Sequence, residues 1–252
     1  MSQPVTLVTG ASAGLGVDFA HQYAAKGHRL VLVARRKDRL DALAAELGNA
    51  RAVEMDLSEP DAADRLMADI AAAGEHVDLL VNNAGFGLVG RFDKLDGKRQ
   101  RQMIDLNCGV LTELAHAVLP GMIERDRGGI LNVASVAGFQ PGPGMAVYFA
   151  TKAYVLSFSE ALHEEYRQTG INVSALCPGP VSTEFGKVAG FGGNKAVSSI
   201  AAESDETVEQ AIAALEKNRA VMVTGFANKV SAQANRILPR STMRKIVNLI
   251  KK

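Results

Sequence analysis

Tyr148 and Lys152 stand four residues apart in the run Tyr148-Phe149-Ala150-Thr151-Lys152. In a helix that spacing puts both side chains on one face. A phenol beside an ammonium can move a proton, provided its affinity for that proton is brought down. Tyrosine titrates near 10 in water, too high for exchange near neutrality. An ammonium about 4 Å away, at an effective dielectric near 20, contributes about 4 kcal/mol, equivalent to about three pKa units. Lys152 is therefore sufficient in principle to activate Tyr148.

A second constellation lies near the N-terminus, in Thr9-Gly10-Ala11-Ser12-Ala13-Gly14-Leu15-Gly16. Glycines let a backbone turn tightly and approach a ligand, and a helix that follows offers its N–H groups and positive dipole end to a pyrophosphate. The spacing Gly-x₃-Gly-x-Gly is a variant of the dinucleotide fingerprint. Val33-Ala34 is followed by Arg35-Arg36, with no acid there. An acid at this point pairs with a ribose 2′-hydroxyl, whereas arginine accommodates the 2′-phosphate of NADP in a bidentate fork. The sequence thus favours NADP(H). Asp56 either hydrogen-bonds the adenine amine or caps the turn at Leu57-Ser58.

These groups need a frame. Short, nearly all-apolar runs at Val5–Thr9, Leu30–Ala34, Arg51–Met55, Asp78–Asn82, Gly129–Ala134, Asn172–Leu176 and Ala220–Val223 read as strands covered on both faces. Helical periodicity fills the gaps at Gly14–Lys26, Lys37–Leu47, Pro60–Ala73, Gln100–Arg125, Tyr148–Gln168 and Asp205–Asn218. This alternation implies a parallel sheet with right-handed crossovers. The stretch Gly186–Ser204, rich in Gly, Ser and Ala, reads as a flap over a site or as a long surface loop.

The loop TGASAGLG, the segment Asn82-Asn83-Ala84-Gly85, the Tyr148–Lys152 run and Pro178-Gly179 together resemble the short-chain dehydrogenase/reductase family, in its short single-domain form. The resemblance covers about residues 4–225. It implies an α/β fold with a Rossmann-type doubly wound sheet of about seven parallel strands and helices on both faces. Ser135, thirteen residues before Tyr148, and Asn107 match the family's other two catalytic positions. It implies hydride transfer between nicotinamide and a carbonyl or alcohol, with Tyr148 as general acid/base and Ser135 stabilising charge on the same oxygen. It further implies that Lys152 holds the nicotinamide ribose, that Asn107 supports a proton-delivering water chain, and that Pro178, Gly179 and Thr183 flank the nicotinamide amide. Gly10, Ser12, Gly14, Leu15, Gly16, Asn83, Ala84, Gly85 and Tyr148 itself complete the expected cofactor set. The helices around Gln100–Arg125 and Tyr148–Gln168 commonly meet another subunit in this family, so a homodimer or homotetramer is expected. Phe139, Met145, Phe185, Val188 and Phe191 would give an apolar substrate pocket if they face inward.

The bulk numbers fit a cytoplasmic enzyme. The 252 residues carry a net charge of +1, which argues against a nucleic-acid role. Cys108 and Cys177 suit reduced thiols, and the five histidines show no metal-ligand spacing. No signal peptide and no unbroken apolar run of about 18 residues is visible. The division expected is a catalytic unit over 1–225 and a basic helical extension over 226–252. From Lys229 onward there are seven Lys/Arg and no acids. Met243, Ile246, Val247 and Ile250 fall on one helical face there, which either packs on protein or makes weak contact with a membrane surface. An NADP(H)-binding sensor without turnover, or a peripheral membrane module, are the competing readings; an intact Tyr148, Lys152 and Ser135 speak against the first.

Overall fold

The computed structural model describes residues 2–190, 202–237, 239 and 241–244. Seven strands, β1 (Gln3–Thr9), β2 (Leu30–Ala34), β3 (Ala50–Glu54), β4 (Glu75–Asn82), β5 (Gly128–Val133), β6 (Ile171–Cys177) and β7 (Val221–Val223), form one sheet in the order β3-β2-β1-β4-β5-β6-β7. Every neighbouring pair is parallel. The strand order reverses between β1 and β4, and ligands in such sheets bind beyond the carboxyl ends of the strands at that crevice.

The all-apolar strands still alternate by face. Leu7, Val31, Val33, Leu80 and Ile130 point to one layer, with α3 (Ala62–Ala72), α5 (Val110–Glu124) and part of α6 (Ala146–Glu165). Val8, Leu30, Leu32, Leu79, Val81 and Leu131 point to the other, with α1 (Leu15–Ala25), α2 (Lys37–Leu47) and α8 (Ser204–Glu216). Phe19, Leu66, Leu114 and Ile130 are fully buried or nearly so, which is what locks the helices to the sheet.

The expected helix over Gln100–Arg125 is three segments. It starts earlier, at α4 (Gly97–Ile104), because the Asp96 carboxylate accepts a hydrogen bond from Lys98 N. A π-turn over Asp105–Gly109 then interrupts it before α5, and such turns frequently mark functional positions. The stretch Gly97–Glu124, taken as a whole, is long and apolar enough to cross a membrane by length and composition, although it holds no unbroken apolar run of 18 residues. Its apolar side, however, faces the sheet through Leu114, Ala115, Val118 and Met122.

Beyond β6, a short helix α7 (Phe185–Ala189) opens the stretch expected to be a flap; residues 191–201 lie outside the described residues. Helix α9 (Phe226–Ile237) begins the basic extension. Met243 is buried, as a packed helix face requires; Ile246, Val247 and Ile250 lie outside the described residues.

Candidate active site

The site forms where β1, β4, β5 and β6 end. Helix α1 begins at Gly14, which has φ +54 and leaves the helix N-terminus without a side-chain cap. A side chain at Gly14 would be strained and would also meet Thr183 Cγ2 at 2.9 Å. A Cβ on Gly16 would strike the Gly10 carbonyl oxygen, and one on Gly10 would meet Ala84 Cα at 2.9 Å. The loop is thus held tightly against the turn after β4. Leu15 packs its side chain into the core beneath. Thr9 ties the two turns together: its hydroxyl accepts from Asn83 N and Ala84 N, each at 3.0 Å, while Asn83 Nδ2 donates to Thr9 O at 2.8 Å. Thr9 is not among the expected site residues, although a hydroxyl directly before the first glycine is a visible signal.

Two arginines follow β2. Arg36 donates from Nε and Nη2 to Ser12 Oγ and Ser12 O, at 3.1 and 3.0 Å. Arg35 is exposed and faces Asp56 at 3.7 Å. Asp56 caps its own turn, accepting from Ser58 N at 3.0 Å and Ser58 Oγ at 2.7 Å. Burial would raise its carboxyl, but these bonds and the Arg35 guanidinium hold it below the usual range. Of the two roles open to Asp56, its contacts are those of the cap. An uncapped helix N-terminus with guanidinium groups beside it is the donor set that an anionic dinucleotide needs.

The catalytic expectation rests on α6. Tyr148 and Lys152 share its buried face, beneath Ser135 at the end of β5. Lys152 Nζ donates to Val133 O at 2.7 Å and lies 5.8 Å from the centroid of the Tyr148 ring. Burial pushes Lys152 down to about 8. Tyr148 behaves opposite to the sequence argument: burial pushes its phenol up to about 12, and the Ser135 hydrogen bond opposes this only in part. Removing the phenol from water disfavours its charged form, and here that desolvation is the largest effect. Ser135 Oγ also accepts from Ala137 N at 3.1 Å and donates to Pro178 O at 3.4 Å.

Asn107 sits in the π-turn, buried. Its Oδ1 accepts from Phe86 N at 3.1 Å; its Nδ2 donates to Phe86 O at 3.0 Å and Thr151 Oγ1 at 3.1 Å. It clamps the turn after β4 to α6. Gly85 lies under this clamp: a Cβ there would be 3.0 Å from Asn107 Oδ1 and 3.7 Å from Lys152 Nζ. Gly179 is buttressed by Asn228 of α9, whose amide a Cβ would strike. Thr183 Oγ1 accepts from Phe185 N at 3.3 Å.

Around Tyr148 lie Phe86, Met103, Ala137 and Met145, with Phe185 packed against them. Met145 and Phe185 therefore join the apolar wall as expected. Phe139 does not; it packs with Leu111, Val155 and Cys177. The Val188 side chain and Phe191 lie outside the described residues. Phe86 was missed, because nothing in the sequence tells which side of the turn it faces.

The buried lysine has a consequence for stability. Its folded pKa, about 8, lies below its ordinary 10.5. From about pH 8 upward the unfolded chain holds more protons than the folded one, so stability rises with pH. Above pH 9 the thiols of Cys108 and Cys177, raised by burial to about 11 and 12, oppose this gain. Wild type should therefore gain melting temperature between pH 8 and 9 relative to Lys152→Met. Parallel curves for the two proteins would show that Lys152 titrates normally.

A doubly wound parallel sheet with a tyrosine, a lysine and a serine gathered at its carboxyl end, beside a glycine-rich turn, defines a nucleotide-dependent oxidoreductase. The short chain dehydrogenase family model matches residues 4–190, and the chain belongs to that family. It is similar to the NADP-dependent 3-hydroxy acid dehydrogenase YdfG of Salmonella typhi, 41% identical over 187 residues, covering 73% of this chain and 75% of that one. It is also similar to the very-long-chain 3-oxoacyl-CoA reductase of Bos taurus, 35% identical over 191 residues, covering 72% of this chain and 61% of that one. Among solved structures, a short-chain dehydrogenase from Sphingobium yanoikuyae in complex with NADPH superposes with a TM-score of 0.82 at 36% identity, over 92% of this chain and 93% of that one.

Proposed function

We propose that the chain is an NADP(H)-dependent carbonyl reductase or alcohol dehydrogenase acting on an apolar ketone, aldehyde or secondary alcohol. One observation carries this reading: the buried Ser135–Tyr148–Lys152 group opens beside an uncapped α1 N-terminus flanked by arginines. The names of the YdfG relative and of the NADPH complex support the same cofactor. Gly10, Ser12, Gly14, Leu15 and Gly16 would hold the pyrophosphate. Arg35 and Arg36 would take the 2′-phosphate. Asn83, Ala84, Gly85, Pro178, Gly179 and Thr183 would line the path to the nicotinamide, which supplies or accepts the hydride when bound.

The chain's own residues handle the proton. With its phenol near 12, Tyr148 is fully protonated at neutral pH, the form required to donate to a carbonyl oxygen in reduction. Ser135 hydrogen-bonds that same oxygen. Lys152, near 8, is predominantly an ammonium at neutrality and stabilises negative charge as it develops. Phe86, Met103, Met145 and Phe185 exclude water around the reacting carbon. Both named relatives act at a 3-position oxygen, so 3-hydroxy acids and 3-oxoacyl thioesters belong in the substrate panel with simple ketones.

The test is thermal shift with NADPH against NADH. At a hundred times its dissociation constant, NADPH should add about 2.7 kcal/mol of apparent stability. NADH should add much less, and an Arg35→Ala, Arg36→Ala variant should lose the difference. Absence of any shift at millimolar nucleotide would remove the reading.

A paired state fits the outer face of α6. Ala146, Ala150 and Tyr154 recur there every four residues, all exposed, beside exposed Ile104. Ala150→Glu should convert the assembly to monomers in sedimentation velocity; an unchanged sedimentation coefficient would place the interface elsewhere.

A further inference from the structure

Arginine Arg36 does not stand open. Its Nη1 donates to Glu184 Oε2 at 2.8 Å, and Arg39 Nη1, one turn into α2, lies 3.0 Å from both oxygens of the same carboxylate. Glu184 follows β6, far from these arginines in sequence, and nothing in the sequence linked them. Its neighbours fix it there. Thr183 packs on Gly14, and the Phe185 ring lies 5.4 Å from the Tyr148 ring and against Gly87. The two arginines hold the carboxyl of Glu184 below its ordinary range, so it is an anion throughout the neutral region.

Resting on the proposed use of NADP(H), we infer that Glu184 is an internal competitor of the 2′-phosphate, and that Arg39 is a further ligand of that phosphate. A carboxylate between two guanidiniums makes the charge-assisted contacts that a phosphate would make. A nucleotide lacking the 2′-phosphate can bind without disturbing the pair, whereas a phosphorylated one must displace Glu184. The ion pairs are each close to half exposed, which makes them weak and exchangeable. Glu184 therefore lowers the preference for phosphorylated nucleotide without abolishing it. It is a specificity-determining residue, and the sequence motif of paired arginines overstates the selectivity.

The experiment is calorimetric titration of adenosine 2′,5′-bisphosphate and adenosine 5′-monophosphate into wild type, Glu184→Gln and Arg39→Ala. These probes lack the nicotinamide, so they report the phosphate end alone. Glu184→Gln should bind the bisphosphate about two- to fivefold more tightly, with monophosphate affinity unchanged. Arg39→Ala should weaken the bisphosphate selectively. An unchanged or lower bisphosphate preference in Glu184→Gln overturns the inference, as does equal tightening of both probes, which would mean a general opening of the segment. If wild type itself shows no preference for the bisphosphate, the NADP(H) reading fails first, and that outcome is distinct from the other two.

Discussion

Tyr148→Phe should reduce turnover of any accepted carbonyl by about 10²–10⁴-fold, the range for loss of a positioned general acid. The ring should stay where it is. It packs among Phe86, Met103 and Met145 and is 8% exposed, so phenylalanine fills the same space. What disappears is one hydroxyl, its hydrogen bond with Ser135, and the proton it carries. Nucleotide affinity should remain near wild type, because none of the contacts proposed for the phosphates involves that oxygen. Melting temperature should move little, since a single neutral hydrogen bond contributes only about 1 kcal/mol. The diagnostic result is therefore a split: kcat collapses while NADPH still shifts the melting curve. A variant that keeps more than about a tenth of wild-type turnover would show that another group, or water, delivers the proton.

The strands were legible because a sheet covered on both faces must be apolar throughout, and β2 and α2 end where the sequence reading places them. The start of β4 was not, because Glu75 and His76 look like turn residues. Glu75 is buried in ion pairs with Arg51 at 2.9 Å and Arg29 at 3.7 Å, both distant from it in sequence. The same blindness to long-range pairing hid the Glu184 contact with Arg36. It also misjudged Tyr148, whose charge state depends on burial that no spacing reveals. Conversely, Tyr148, Lys152 and Ser135 do share one buried corner. Their order in sequence was informative because β5 and α6 are consecutive elements. The π-turn at Asn107 was invisible, since periodicity continues through it on both sides.

Asn107→Ala should lower stability by about 2–5 kcal/mol, the cost of leaving buried polar groups without partners. The Phe86 N–H and carbonyl both depend on this amide, as does one hydrogen bond of Thr151 Oγ1. Alanine supplies no donor or acceptor, and Asn107 is 1% exposed, so bulk water does not reach the vacated groups directly. For a chain of this length that is a fall of about 4–20 °C in melting temperature. Thr151→Val gives the comparison. It removes only the third bond of the clamp, plus the Thr151 Oγ1 bond to Tyr148 O at 2.8 Å, and replaces the hydroxyl by a methyl of similar size. The residue keeps its shape, so its loss should be much the smaller. Activity separates a clamp from mere scaffolding. The turn held by Asn107 carries Gly85 close to Lys152 Nζ. Loosening it should therefore cut kcat even at temperatures well below the midpoint, where the variant is fully folded. Equal destabilisation by the two substitutions would mean that the Phe86 contacts add nothing. Normal kcat in a folded Asn107→Ala protein would confine the residue to stability alone.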